Sequence, residues 1–212
     1  MSSYSISIEV AGPLAMFTRP DTGGTPTSYP APTWSAAKAI FESVAMLRSG
    51  NAWIRPTKVE ICKPSGSIGG EIKYQRYTTN YGGPSRKQDL IRKGAGMQLI
   101  ATPIADVCYR LYGEVAGDEF RNGTNPRHHL QELFDRRIKQ GRCFRTPSLG
   151  WREFTCSYWG PFRATEYEVD EQVALTIPSM LVSMWSNPSN GNYAPRFAQN
   201  VRIERGVLHY TE

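Results

Sequence analysis

A chain of 212 residues with 40% apolar and 11% aromatic residues can bury a real core, which excludes a disordered protein. Lys and Arg outnumber Asp and Glu by 25 to 19, and the sequence pI is about 9.2, a modest excess that favours an acidic partner such as nucleic acid without requiring one. No stretch approaches the ~20 apolar residues of a membrane helix, and the opening "MSSYSISIEV" has no basic or long apolar segment, so a soluble cytoplasmic protein is expected.

The first element is a strand. "YSISIEVAG" alternates Ile6, Ile8 and Val10 with polar residues and breaks at Gly12-Pro13. After the loop "RPDTGGTPTSYPAP", Ala37, Ile40, Phe41, Val44 and Leu47 recur at helical spacing, with Thr33 or Ser35 as cap and Gly50 as stop. "AWIRPTKVEIC" reads as a strand that Pro56 places at an edge or a bend. The four cysteines, Cys62, Cys108, Cys143 and Cys156, form no CxxC pair and read as reduced thiols rather than zinc ligands.

Residues 63–96 differ from their surroundings: glycines are frequent, and Lys63, Lys73, Arg76, Arg86, Lys87, Arg92 and Lys93 outnumber Glu71 and Asp89. Tyr74, Tyr77 and Tyr81 are interleaved with them. Two readings stand: a solvated hairpin, or a protruding arm that follows a phosphate backbone while tyrosines stack on unpaired bases. "MQLIATPIADVCYRLYGEVAG" returns to strand patterning. A second helix is expected over 126–139, with Leu130, Leu133, Phe134 and Ile138 on one stripe, Thr124 or Asn125 as cap, Pro126 at the first position and Gly141 at the end. Short apolar runs broken by Pro, Gly and Asn from Phe144 onward suit antiparallel strands. The order of elements gives an α+β fold of the ferredoxin-like kind.

Two of the three histidines, His128 and His129, stand side by side in the first turn of that second helix. Adjacent helical positions point about 100° apart, so the two rings are poorly placed to share a metal ion, and neither metal nor cofactor is expected. Free N–H groups and the helix dipole favour an anion there, and the same field keeps an imidazole neutral, the form a general base needs. Arg121, Arg127, Arg136, Arg137, Lys139, Arg142, Arg145 and Arg152 surround the pair in sequence. Anion binding is the stronger reading. Metal-free RNA cleavage would need in addition a base, a cation and a proton donor in one place.

"GPLAMFTRP" with "SYPAPTWSAAKAIFES", and later "NPRHHLQELFDRRIKQGRCFRTPSLGWREF", resemble the opening and the later signature of the fifth (RAMP) family of CRISPR-associated proteins, most closely its subtype I-C branch. The likeness covers about residues 8–155. It implies a ferredoxin-like (RRM-like) RAMP domain over 1–155, a basic thumb hairpin inserted at about 66–96, and a small C-terminal β region over 156–212. It also implies a subunit that holds the 5′ handle of guide RNA and caps a type I, Cascade-like antiviral surveillance complex. The implied partners are seventh-family backbone subunits, the large subunit and, indirectly, target DNA.

In the I-C branch such a protein also cuts the precursor transcript, without metal, through a Tyr–Lys–His set. Here the tyrosine position aligns with Ala45, and the Lys-His pair with His128-His129 when anchored on Asn125, or with His129-Leu130 when anchored on Phe134 and Gly141. His129 is then the base candidate, with His128 or Arg127 supplying the cation and Tyr29 an available hydroxyl. RNA-contact candidates are Arg19, Tyr29, Lys38, Lys73, Arg76, Tyr77, Arg86, Lys87, Arg92, Lys93, Arg145 and Arg152, while Trp151 and Phe154 read as core. Binding alone, and binding with cleavage, both stay open.

Overall fold

The computed structural model describes residues 4–81, 97–117, 125–184 and 194–211. In chain order its elements are β1 (Ser5–Ala15), α1 (Trp34–Val44), β2 (Ala52–Pro64), β3 (Tyr77–Tyr81), β4 (Met97–Ala101) and β5 (Ile104–Gly117). These are followed by α2 (Pro126–Gln140), β6 (Tyr158–Gly160), β7 (Tyr167–Val169), β8 (Leu175–Ser183), β9 (Arg196–Glu204) and β10 (Val207–His209). The strand-patterned run after residue 96 is two strands, because Thr102-Pro103 separates β4, which pairs with β3, from β5.

The main sheet runs β6-β1-β5-β2-β10-β9-β8, with β7 also on β2. Its first four strands are antiparallel and, with α1 and α2, have the 4-1-3-2 order of a ferredoxin-like unit. The fold is therefore the α+β architecture expected from the sequence. The fourth strand, β6, follows residue 155, and β10 lies along Lys58–Glu60 of β2, so the C-terminal hairpins continue the same sheet. Pro56 sits at a register shift in β2, before the stretch that β10 and β7 cover, where a missing N–H is tolerated. Between β9 and β10, Arg205 and Gly206 both have positive φ (50° and 74°), the turn that best matches strand twist.

Both helices pack on one face of the sheet. Thr33 caps α1 by accepting from Ala36 N at 3.2 Å, and Ala37, Ile40, Phe41 and Val44 are buried. The helix stops at Val44 rather than at Gly50. The cause is tertiary: Arg137 Nη1 donates to the Val44 carbonyl at 2.6 Å, and Phe144 N and Arg145 N donate to Val44 and Ser43, satisfying carbonyls that another turn would have used. In α2, Asn125 caps the start and Pro126 opens it, and Gly141, at φ 62°, closes it as its N–H reaches back to Ile138. Phe134 meets Phe41 at 5.9 Å between ring centroids, a pair of buried rings each worth ~1.5–3 kcal/mol of burial.

The opposite face departs from the half-solvated strand that β1 suggests. Ile6, Ile8 and Val10 are buried as expected, but Glu9 and Ala11 on the other side are buried too. The 161–170 segment covers them. Glu9 is neutralised by Arg110 Nε (3.2 Å) and Arg163 Nε (2.7 Å), and accepts a third bond from Arg163 N (3.1 Å). The Arg163 guanidinium lies over Tyr158 and Tyr167, 3.7 and 4.5 Å from their centroids.

Tyrosine hydroxyls fasten the segment between β1 and α1. Tyr109 donates to the Pro30 carbonyl at 3.1 Å and Tyr210 to the Pro32 carbonyl at 2.9 Å. Tyr29 donates to the Ser179 carbonyl at 3.1 Å and accepts from Leu181 N at 3.2 Å, bridging the open edge of β8.

Candidate functional site

The expected site residues fall into groups at the two ends of β1. Ser5 pairs with Glu114 and Ala52 with Gly117, so the start of β1, the start of β2 and the end of β5 share one end. Ala15 pairs with Ile104 at the other end, next to the foot of the arm, where Ala105 N donates to the Lys73 carbonyl. Eleven residues of strand place these ends about 30–35 Å apart. The basic foot and the histidine pair are thus not one pocket.

At the foot, Lys73 and Arg76 are exposed, and Tyr77 touches Phe154 edge-on at 5.1 Å. Phe154 is core at 6% exposure and stacks with the half-buried Trp151, whose Nε1 donates to Thr18 Oγ1 at 2.9 Å. Arg152 is exposed beside them. Arg19 is held by Asp21 (2.7 Å), whose carboxyl the guanidinium keeps below the usual carboxylate range. Tyr29 is 2% exposed, with its hydroxyl donating to the Ser179 carbonyl and accepting from Leu181 N. Lys38 pairs with Glu42 at 3.5 Å on α1, and Arg145 is exposed beyond the end of that helix. Arg86, Lys87, Arg92 and Lys93 lie outside the described residues.

At the other end, α2 presents Arg127, His128 and His129 in its first turn. Both imidazoles are exposed. His128 Nε2 lies 3.0 Å from Glu132 Oε1 one turn on, so a neutral ring donating there keeps Nδ1 as an acceptor. Arg127 Nε is buried without a hydrogen-bond partner among the described residues. Ala45, buried, borders a groove with Leu130, Trp53 and Lys38, and brings no hydroxyl to it.

The hydroxyl that does reach this end is one the sequence reading passed over. Tyr4 accepts from Asn125 Nδ2 at 2.8 Å, meets the His128 ring edge-on at 6.5 Å, and lies under the Arg127 guanidinium at 5.6 Å. No local signal marks it. Only the β1–β5 pairing brings residue 4 to the start of α2. Among the described residues, no helix is long and apolar enough to cross a membrane.

The ferredoxin-like sheet, with its β3–β4 pair and extended C-terminal meander, is similar in fold to a CRISPR-associated protein of known structure. A crystal structure of such a protein superposes on 99% of this chain and 93% of its own, with a TM-score of 0.66 at 19% identity. The family model Cas_Cas5d, described as CRISPR-associated protein (Cas_Cas5), matches residues 5–205, and the chain belongs to that family. Two curated relatives carry the name CRISPR pre-crRNA endoribonuclease Cas5d. The one from Thermus thermophilus is 26% identical over 156 residues, which is 74% of this chain but only 63% of the relative. The one from Mannheimia succiniciproducens is 28% identical over 165 residues, 72% of this chain and 71% of the relative.

Proposed function

We propose that this chain is a CRISPR antiviral defence subunit that binds the 5′ handle of guide RNA in the cytoplasm and caps a type I, Cascade-like surveillance complex. The observation that supports this reading is the exposure of Lys73, Arg76 and Arg152 around the start of the β3–β4 pair, where Tyr77 and Trp151 both pack on Phe154, in a chain of this family. Its partners in the proposal are the guide RNA, seventh-family backbone subunits and the large subunit, with target DNA reached indirectly. Backbone contacts of this kind are salt-dependent. Each cation removed lowers the slope of log affinity against log salt by ~0.7 for a single strand. Fluorescence anisotropy of a labelled repeat RNA should therefore show Lys73→Ala/Arg76→Ala binding more weakly and with a shallower salt dependence. Equal affinity at all salt concentrations would exclude the foot as the RNA contact.

A second reading is favoured by the grouping at the start of α2 and by the name both relatives bear. On this reading the same subunit also cleaves precursor CRISPR RNA in the repeat, with no metal or other cofactor. His128 or His129 would take the 2′-hydroxyl proton, and Arg127 would stabilise the charge that builds on the phosphate. Incubation with repeat RNA in EDTA, beside His128→Ala and His129→Ala, tests it. Specific cutting lost in one variant identifies the base, whereas intact RNA that stays bound leaves the binding function alone.

A further inference from the structure

Tyr4 stands one residue before β1, half-buried, and its carbonyl accepts from Val115 N at 2.9 Å, so the sheet itself fixes its place. Asn125 does two things at once. Its Oδ1 accepts from Arg127 N at 3.1 Å and caps α2, while its Nδ2 donates to the Tyr4 hydroxyl at 2.8 Å. The phenol oxygen is the acceptor in that bond, and its own proton remains available to a third group. His128 and Arg127 lie against the same ring. A proton acceptor, a proton donor and a fixed cation therefore meet at a helix start whose first N–H groups favour an anion.

We propose, resting on the cleavage reading above, that Tyr4 is the general acid for scission of a single-stranded RNA bound at the start of α2. The 2′-oxygen attacks phosphorus and its proton passes to the His128 imidazole. The P–O5′ bond breaks and O5′ takes the proton of Tyr4. The products are a 2′,3′-cyclic phosphate and a 5′-hydroxyl end, nothing is oxidised or reduced, and the phenolate regains a proton from the imidazolium through water. Arg127 holds the non-bridging oxygens. Asn125 is a positioning residue, because it acts through the Tyr4 hydroxyl.

The test is Tyr4→Phe, which keeps the ring against His128 and Arg127 and removes only the hydroxyl. Single-turnover cleavage in EDTA is measured on repeat RNA and on the same RNA with sulfur in place of the bridging 5′-oxygen, a leaving group that departs without protonation. The expected result is a loss of ~100-fold or more on the ordinary RNA, with the rate on the sulfur substrate close to wild type. His128→Ala should be slow on both substrates. Equal wild-type rates for Tyr4→Phe on both would remove Tyr4 from the reaction and leave cleavage standing. Equal losses on both would make its role structural and overturn the proposal. No cutting by the wild-type protein would remove the cleavage reading, and Tyr4's role with it.

Discussion

Glu9→Gln is the substitution on which the account of the sheet's second face depends. The side chain is 0% exposed, and its carboxylate accepts from Arg110 Nε, Arg163 Nε and Arg163 N at 3.2, 2.7 and 3.1 Å. The amide keeps the shape but removes the charge, and it turns an NH2 donor towards at least one existing donor. Removing one partner of a buried ion pair costs ~3–5 kcal/mol. The guanidinium side chains are 11% and 22% exposed and regain some hydration, which points to the lower end of that range. At ~2–4 °C per kcal/mol for a domain of this size, about 3 kcal/mol lowers Tm by roughly 6–12 °C.

Thermal melts and urea unfolding of the purified chain measure it, with an unchanged m-value showing that the unfolded state is the same. The triple replacement Glu9→Met, Arg110→Met, Arg163→Leu removes these three charges together and should restore most of the loss, because no buried charge is left unpaired and the Glu166 partner of Arg163 is exposed. A Glu9→Gln protein melting within about 2 °C of wild type would refute the reasoning. The network would then be solvated enough not to need its anion.

Tyr29→Phe should lower stability by ~1–3 kcal/mol in chemical denaturation, since the Ser179 carbonyl and Leu181 N lose their partner, while RNA affinity stays unchanged. Weaker RNA binding at unchanged stability would return Tyr29 to the interface. Burial pushes the Cys156 thiol up to about 12, so at pH 8 only ~1 in 10⁴ is thiolate, and iodoacetamide should label it only after unfolding. The sign for stability follows: Cys156's contribution is complete below the unfolded value of ~8.5 and is lost as pH rises towards 12.

The parts of the fold legible in the sequence are those set by neighbours in the chain. Asn125-Pro126 and Gly141 mark both ends of α2, and Ile6, Ile8 and Val10 mark the core side of β1, because caps and strand alternation are local. The stop of α1 at Val44 was not legible, since Arg137, on another helix, satisfies its last carbonyl. Nor was the burial of Glu9, whose cover arrives 154 residues later. The site divides in the same way. Arg127 and His128 could be read as adjacent groups on a helix start, whereas Tyr4 reaches Asn125 across 121 positions. Tyr29, in a Gly- and Pro-rich loop that also carries Arg19, has the local sequence of an exposed stacking platform. Its hydroxyl is committed to a strand that only the tertiary fold brings near.

The tyrosine fastenings also bear on how the chain is made. The segment joining β1 to α1 is anchored through Pro32 to Tyr210, 178 residues downstream. At ~5–20 residues per second of synthesis, the Pro32 carbonyl waits about 9–36 s for its partner to be polymerised, and longer for it to leave the ribosome. Until then β10 is also incomplete, and the main sheet lacks the strand that joins β2 to β9. Tyr210 thus decides when the segment before α1 can settle, and its loss should act on the N-terminal half of the protein during synthesis as well as on the finished molecule.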